Sequence, residues 1–397
     1  MNKVIKIKKI IRRVYISTKE AFRRNIPSTF YRIFCFLPIN SKLAVFESYR
    51  GESFSGNPKY IQKELSRRDS SFKCIAFVRN PELYSDLNDE VFYIKRLSIK
   101  YIYYLSRAKY VVNNVNYPDF LKKREGTYHV QTMHGTPLKL MGADLIDNPE
   151  YAYKQNLLGL FSRSKRWDLL VSPNNYTTKI FKRVFRYEGE VLECGYPRND
   201  ILVNGVKDKS QRLEIRNKLG IDNDKKVILF APTWRESSSP SDIRESLNLD
   251  FEKLQQLLSK DSVIILRLHH LVSSNLDVSR YKGFIYDFSD YPDSQELLVA
   301  SDMLISDYSS IMFDYLNYQK PVVLYLHDYD SYLKDRGVYF DIRTSGVGRV
   351  SYTFEELVDN LASHDFEFDA QQSVVTEFCH AESGVASGTV VTRMLEN

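Results

Sequence analysis

Cysteine is scarce. Only Cys35, Cys74, Cys194 and Cys379 occur in 397 residues, scattered and without a Cys-x-x-Cys pair. No disulfide framework can be built from that spacing, and no histidine stands where it would complete a zinc motif. The pattern fits free, mostly buried thiols in a reducing compartment. Long apolar runs are also missing. No stretch approaches the ~18 residues needed to cross a bilayer, and Ile33–Leu37 is bounded too tightly by Arg32 and Pro38 to serve as a signal peptide. The chain is therefore expected to stay in the cytoplasm. Three nucleotide and nucleophile signatures are absent too: the Gly-x-x-x-x-Gly-Lys-[Ser/Thr] phosphate loop, the Gly-x-Ser-x-Gly elbow, and a Gly-x-Gly-x-x-Gly turn after a strand. No internal repeat is visible.

What is present begins with charge. Ten basic residues lie between Met1 and Ile33 against Glu20 alone, a local balance of +9 that leaves the rest of the chain at −3. The net +6 thus describes a near-neutral body with a basic prefix. Val4, Ile7, Ile11 and Val14 recur at helical spacing in that prefix, with Lys6, Lys9, Arg12 and Arg13 among the intervening positions. Phe30, Tyr31, Phe34 and Phe36 follow. An apolar stripe, cations and aromatics together suit an anionic membrane surface, where each basic residue contributes ~1 kcal/mol. A solvated basic helix or an RNA contact would use the same cations.

From Lys42 onward, short β-branched runs alternate with helix-length segments. Strands are expected at Leu43–Glu47, Cys74–Val78, Val91–Ile94, Tyr110–Asn113, His129–Met133, Leu169–Ser172 and Val191–Cys194. Helices are expected around Pro58–Ser66, Ile99–Arg107 and Tyr176–Phe185. A second series starts at Lys226, with strands at Val227–Phe230, Val263–Leu268, Phe284–Asp287, Met303–Ser306 and Val322–Tyr325. This alternation predicts an α/β protein of two doubly wound, Rossmann-like domains facing a cleft. The divisions read as a basic amphipathic segment over residues 1–40, an αβα domain over 41–200 and a second αβα domain over 201–397. Ligands of such sheets sit beyond the carboxyl ends of the strands.

Four polar segments fall at those ends: His134-Gly135-Thr136-Pro137, Pro232-Thr233-Trp234-Arg235, Arg267-Leu268-His269-His270 and Ser306-Asp307-Tyr308-Ser309-Ser310. In the last, a helix is expected to start near Ser309. Its free N–H groups and the serine hydroxyls would suit a diphosphate, although capping alone accounts for the same residues. His134 precedes a glycine at a strand end, where a neutral imidazole can take a proton from an attacking hydroxyl. A histidine satisfied in the interior is the plainer alternative. Arg235 could grip phosphate oxygens through its planar fork, and His269 could neutralise a departing phosphate. A surface salt bridge or a core hydrogen bond accounts better for each taken alone, and it is their co-occurrence at successive strand ends that points to a site. Asp302, Asp307 and Asp314 are not expected to converge on a metal.

These motifs together resemble the CDP-glycerol glycerophosphotransferase family, the wall teichoic acid primases and polymerases, which includes CDP-ribitol enzymes. The resemblance covers most of Lys42–Asp341. It runs through Phe46-Glu47-Ser48, Ser55-Gly56-Asn57-Pro58-Lys59-Tyr60, the His134 block, Cys194-Gly195-Tyr196-Pro197-Arg198-Asn199-Asp200, Ala231–Arg235, Arg267-Leu268-His269, Ile305–Asp314, Lys320-Pro321-Val322 and Arg336-Gly337. It implies a glycosyltransferase-B-like fold with the donor nucleotide on the C-terminal domain. By position it implies His134 as the base and His269 as the second histidine, at the donor phosphates. It also implies Arg235, Ser309 and Ser310 as donor-phosphate contacts, and Asp314 as a contact to the polyol end.

The implied reaction moves a polyol phosphate, glycerol phosphate before ribitol phosphate, from a CDP-polyol to a hydroxyl of an undecaprenyl-diphosphate-linked saccharide or polymer. CMP is released at the cytoplasmic face of a bacterial membrane, with no nucleic acid involved. No cofactor is required, and a divalent cation is neither required nor excluded. Long polymerases of the family carry a large extra N-terminal region that is not seen before Lys42, so the number of units added stays open. Two rivals remain: a nucleotide-sugar glycosyltransferase of the same architecture, and a non-catalytic basic protein that binds membrane or RNA.

Overall fold

The computed structural model describes residues 27–85, 90–119, 121–145, 157–233, 247–268, 276–335, 337–363 and 372–397. Lys6, Lys9, Arg12 and Arg13 lie outside them, and of the basic segment only 27–40 is described, opening with a helix over 27–34. Among the described residues, no helix is long and apolar enough to cross a membrane.

The first sheet contains β1 (Asn40–Glu47), β2 (Lys73–Val78), β3 (Val91–Lys95), β4 (Ala108–Asn113), β5 (Tyr128–Gln131), β6 (Leu169–Ser172) and β7 (Glu190–Glu193). They are ordered β3-β2-β1-β4-β5-β6-β7. The second contains β8 (Lys226–Phe230), β9 (Ser262–Leu266), β10 (Ile285–Asp287), β11 (Met303–Ser306), β12 (Val322–Tyr325) and β13 (Arg349–Ser351), ordered β10-β9-β8-β11-β12-β13. Every strand pairing is parallel.

The reason is visible along single strands. In β1, Ala44 and Phe46 enter one core layer while Leu43 and Val45 enter the other. In β8, Val227 and Leu229 divide from Ile228 and Phe230 in the same way. A strand apolar on both faces needs cover on both, which makes each domain an αβα sandwich. Strand order reverses between β1 and β4 and again between β8 and β11, and each reversal opens a crevice at the strand ends.

The chain passes between the domains twice. The outward crossing follows β7 through Tyr196–Asp200. On the return, helix Ala386–Leu395 packs on helix Gly56–Arg68, and Val390, Val391 and Met394 join the first domain's core. The last helix therefore belongs with the first domain by packing. Arg68 donates to the Thr392 hydroxyl at 2.6 Å and the Gly388 carbonyl at 2.9 Å. Asp200 accepts from the backbone N–H groups of Ala386 and Ser387, both at 2.8 Å.

Glu382 ties the crossings together, accepting from the Tyr196 N–H at 3.1 Å and the Asn199 amide at 2.8 Å. Burial pushes its carboxyl up to about 8, against those two hydrogen bonds. A folded-state pKa above the unfolded value of 4.5 gives stability that is complete below pH 4.5, falls as pH rises toward 8, and is flat beyond. Glu382→Gln keeps the acceptor oxygen and removes the titration. It is expected to be near neutral at pH 5 and stabilising by about 4 kcal/mol at most at pH 8. Urea unfolding at both pH values checks this; an equal gain at each would show that the charge is not responsible.

Candidate active site

A cleft of about 970 Å³ lies between the two sheets. His134, Gly135, Thr233, Arg267, Ser309 and Ser310 are among the residues that line it.

His134 arrives through a strained turn. Beyond β5, the Thr132 N–H still bonds the Asn113 carbonyl at 2.8 Å. Met133 then takes φ +50, a left-handed conformation that is uncommon for a residue with a side chain. The Gln131 side chain holds the Met133 N–H at 3.0 Å, and the Asn57 amide donates to the Thr132 and Met133 carbonyls at 3.3 and 3.2 Å. The chain thus turns out of the sheet and the imidazole opens to the cleft.

Its Nδ1 lies 3.1 Å from the Asn114 carbonyl oxygen. A carbonyl can only accept, so Nδ1 carries the proton and Nε2 of the neutral ring presents its lone pair. The cleft walls make the charged form costly and lower the pKa, the Asn114 hydrogen bond opposes this, and the nearby Arg198 charge lowers it further. Tyr49 stands edge-on to the imidazole with ring centroids 6.1 Å apart, and its N–H is held by the Asn114 side chain at 2.8 Å. Tyr49 and Asn114 follow β1 and β4, the strands on either side of the first sheet's reversal point.

The facing wall is built at the second reversal point. Asp307, just past β11, accepts from the Thr233 N–H past β8 at 2.8 Å and from the Tyr308 N–H at 2.5 Å. This carboxylate staples the two strand-end loops and does not cap the next helix. That helix, Ile311–Leu316, has six residues and no side-chain cap at Ser310. The helix expected to start near Ser309 thus begins at Ile311 and is short, and the Ser309 hydroxyl accepts weakly from the Ile311 N–H at 3.4 Å. The Ser309 and Ser310 hydroxyls lie beside the cleft.

The two walls meet at Gly135. A Cβ placed there would come within 2.3 Å of Ser310 Oγ and 2.8 Å of Ser310 Cβ. Arg267 donates to the Phe288 carbonyl at 3.1 Å and to that of Ser289, leaving its guanidinium fixed at the cleft edge.

His134, Ser309 and Ser310 are thus brought together. Arg235 and His269 lie outside the described residues, close in sequence to the cleft-lining Thr233 and Leu268. Asp314 is placed differently from the expectation. It is 4% exposed, and its carboxylate is taken by Arg198 at 2.8 Å and by the Gln295 amide at 3.2 Å. Asp302 pairs with Arg212 and Arg216, so Asp302, Asp307 and Asp314 serve three separate partner sets. Among the described residues, no three His, Cys, Asp or Glu side chains converge on a metal-sized site. Reading the residues one by one misses Tyr49, Asn57, Asn114 and Arg198. The local signal for Tyr49 and Asn114 is that polar groups follow apolar strands in Glu47-Ser48-Tyr49 and Asn113-Asn114, while Asn57 and Arg198 are marked only by lying within the family motifs.

Comparison with known proteins follows the same lines. The family model described as CDP-Glycerol:Poly(glycerophosphate) glycerophosphotransferase matches residues 29–396. The chain is 36% identical to the teichoic acid poly(glycerol phosphate) polymerase of Bacillus spizizenii, over 93% of this chain and 96% of that protein. It is also 36% identical to the teichoic acid glycerol-phosphate transferase of Staphylococcus aureus, with the same two coverages. Among solved structures, the wall teichoic acid polymerase TagF soaked with CDPG superposes with a TM-score of 0.87 at 33% identity, covering 99% of this chain and 98% of the other.

Proposed function

The chain belongs to the CDP-glycerol:poly(glycerophosphate) glycerophosphotransferase family, and from that membership we propose how its cleft works. The enzyme transfers glycerol phosphate from CDP-glycerol to a hydroxyl of a lipid-linked acceptor in teichoic acid synthesis. The observation that carries the reading is the His134 ring. Its Nδ1 is committed to the Asn114 carbonyl and its Nε2 has no hydrogen-bond partner among the described residues, in the cleft that Ser309 and Ser310 also line.

In this mechanism Nε2 takes the proton of the acceptor hydroxyl as the oxygen attacks the β-phosphorus. The bond from that phosphorus to the bridging oxygen breaks, CMP leaves with the electron pair, and a phosphodiester forms. Phosphoryl transfer depends on positioning and charge stabilisation more than on covalent help from the protein. The serine hydroxyls and Arg267 supply donors on the phosphate side, where Arg235 and His269 are also assigned by their place in the family motifs.

Attachment at the membrane face is reversible in this reading. The basic prefix supplies the charge, and Ile33 and Phe36, 53% and 89% exposed, supply apolar contact just beyond it.

The test is CMP release from CDP-glycerol, CDP-ribitol and UDP-sugars with lipid and soluble acceptor analogues. CDP-glycerol is expected to be the fastest donor. UDP release from a UDP-sugar would replace the proposal with a glycosyltransferase. Removing residues 1–33 is expected to abolish vesicle binding and preserve transfer to the soluble acceptor.

A further inference from the structure

Arg198 is a charged residue at the junction of the two domains that the mechanism above leaves without a role. It lies in the outward crossing, is 4% exposed, and does not line the cleft. One guanidinium nitrogen donates to the His134 carbonyl at 2.9 Å. The other reaches the Asp314 carboxylate in the second domain at 3.0 and 2.8 Å. Its backbone N–H bonds the Asn57 side chain at 3.1 Å, and the same Asn57 holds the turn before His134. The hydroxyl of Tyr49, whose ring flanks the imidazole, lies near the Arg198 charge, and the Arg198 guanidinium carbon sits over the Tyr196 ring, 5.2 Å from its centroid.

One planar fork therefore joins three parts: the loop that carries His134, the crossing, and the helix that begins just after Ser310. A planar, delocalised cation is suited to this because both hydrogen bonds keep fixed directions. A buried pair of opposite charges is poor evidence of net stability, but it does set geometry.

We propose that Arg198 is a positioning residue, holding the His134 turn against the Ser309–Ser310 wall so that base and donor phosphate stand at reacting distance. The inference rests on the reading of His134 as the base. A displacement of about 1 Å between reacting groups is enough to lower rate by about 10², and loss of the fork releases the His134 loop from the second domain.

The experiment uses the full chain and measures kcat and donor KM by CMP release. The variants are Arg198→Lys, Arg198→Met, and the double Arg198→Met/Asp314→Asn, which leaves no orphaned carboxylate and so keeps the test open if the single methionine variant does not fold. The double variant is expected to lose about 10²-fold in kcat with donor KM within about threefold of wild type. Arg198→Lys, which can satisfy one partner at a time, is expected to fall between.

The decisive readout is coupling. In a His134→Ala background the same substitutions are expected to change kcat by less than about threefold, because there is no base left to position. A full repeat of the loss in that background would show that Arg198 is merely structural and overturn the proposal, as would wild-type kcat in the double variant. If His134→Ala alone keeps its turnover, the base reading has failed whatever Arg198 does.

Discussion

Replacing His134 with alanine lowers kcat by about 10²–10⁴, the usual range for loss of a general base, and leaves CDP-glycerol affinity close to wild type. The split follows from the geometry: the imidazole is held from the first domain, opposite the wall that carries Ser309 and Ser310. Replacing both serines with alanine is expected to do the reverse, weakening donor binding in calorimetry. Unchanged turnover in His134→Ala would remove the histidine from the mechanism.

The pH profile tests the same assignment with a defined sign. A base must be unprotonated, and enclosure by the cleft walls holds this imidazole below the ordinary 6.5. kcat/KM is therefore expected to keep its plateau as pH falls through 6.5 and to decline only below it. An acid limb at or above that value would mean that a different group titrates.

Gly135→Ala is the second substitution expected to act strongly, lowering kcat by about 10–10². The methyl group has nowhere to go, since both Ser310 Oγ and Ser310 Cβ lie inside normal contact distance of it. Rotating the serine side chain relieves the first clash but not the second, so the walls must separate. Adding Ser310→Gly to the same chain is expected to recover part of the rate by restoring the space while still lacking one hydroxyl. Wild-type turnover in Gly135→Ala alone would show that the working enzyme does not bring these walls so close.

The strands are the most legible part of this sequence. Runs such as Val227-Ile228-Leu229-Phe230 are apolar on both faces, and only a sheet covered on both sides buries them. β13 is not legible, because Arg349-Val350-Ser351 has one apolar residue among its three. Strand-end histidine and serines can be nominated locally, since position beyond a strand follows from the strand itself.

Asn57 and Arg198 act through partners 75 and 116 residues away, at Thr132 and Asp314. Nothing local separates such an arginine from one in a surface ion pair. The family motifs flag both segments without saying what they hold. Asp307 misleads for a related reason. Next to two serines it reads as part of a helix cap, yet its carboxylate is taken up by the Thr233 N–H from a neighbouring strand end. Met133 gives no warning of its left-handed backbone, which the Gln131 and Asn57 side chains impose.

The double passage of the backbone restricts how the molecule can breathe. Two adjacent tethers, cross-linked by Glu382 and by Asp200, resist sliding and leave swivelling about their shared line as the easy motion. Substrate entry would then widen the open mouth of the cleft far more than the floor beside Arg198, on whose side Lys59 grips Asp293 at 2.7 Å. Cutting the polypeptide ahead of Ala386 would remove one tether and expose the flank of Ile61 and Leu65 to water, so a shortened protein would be floppy as well as insoluble.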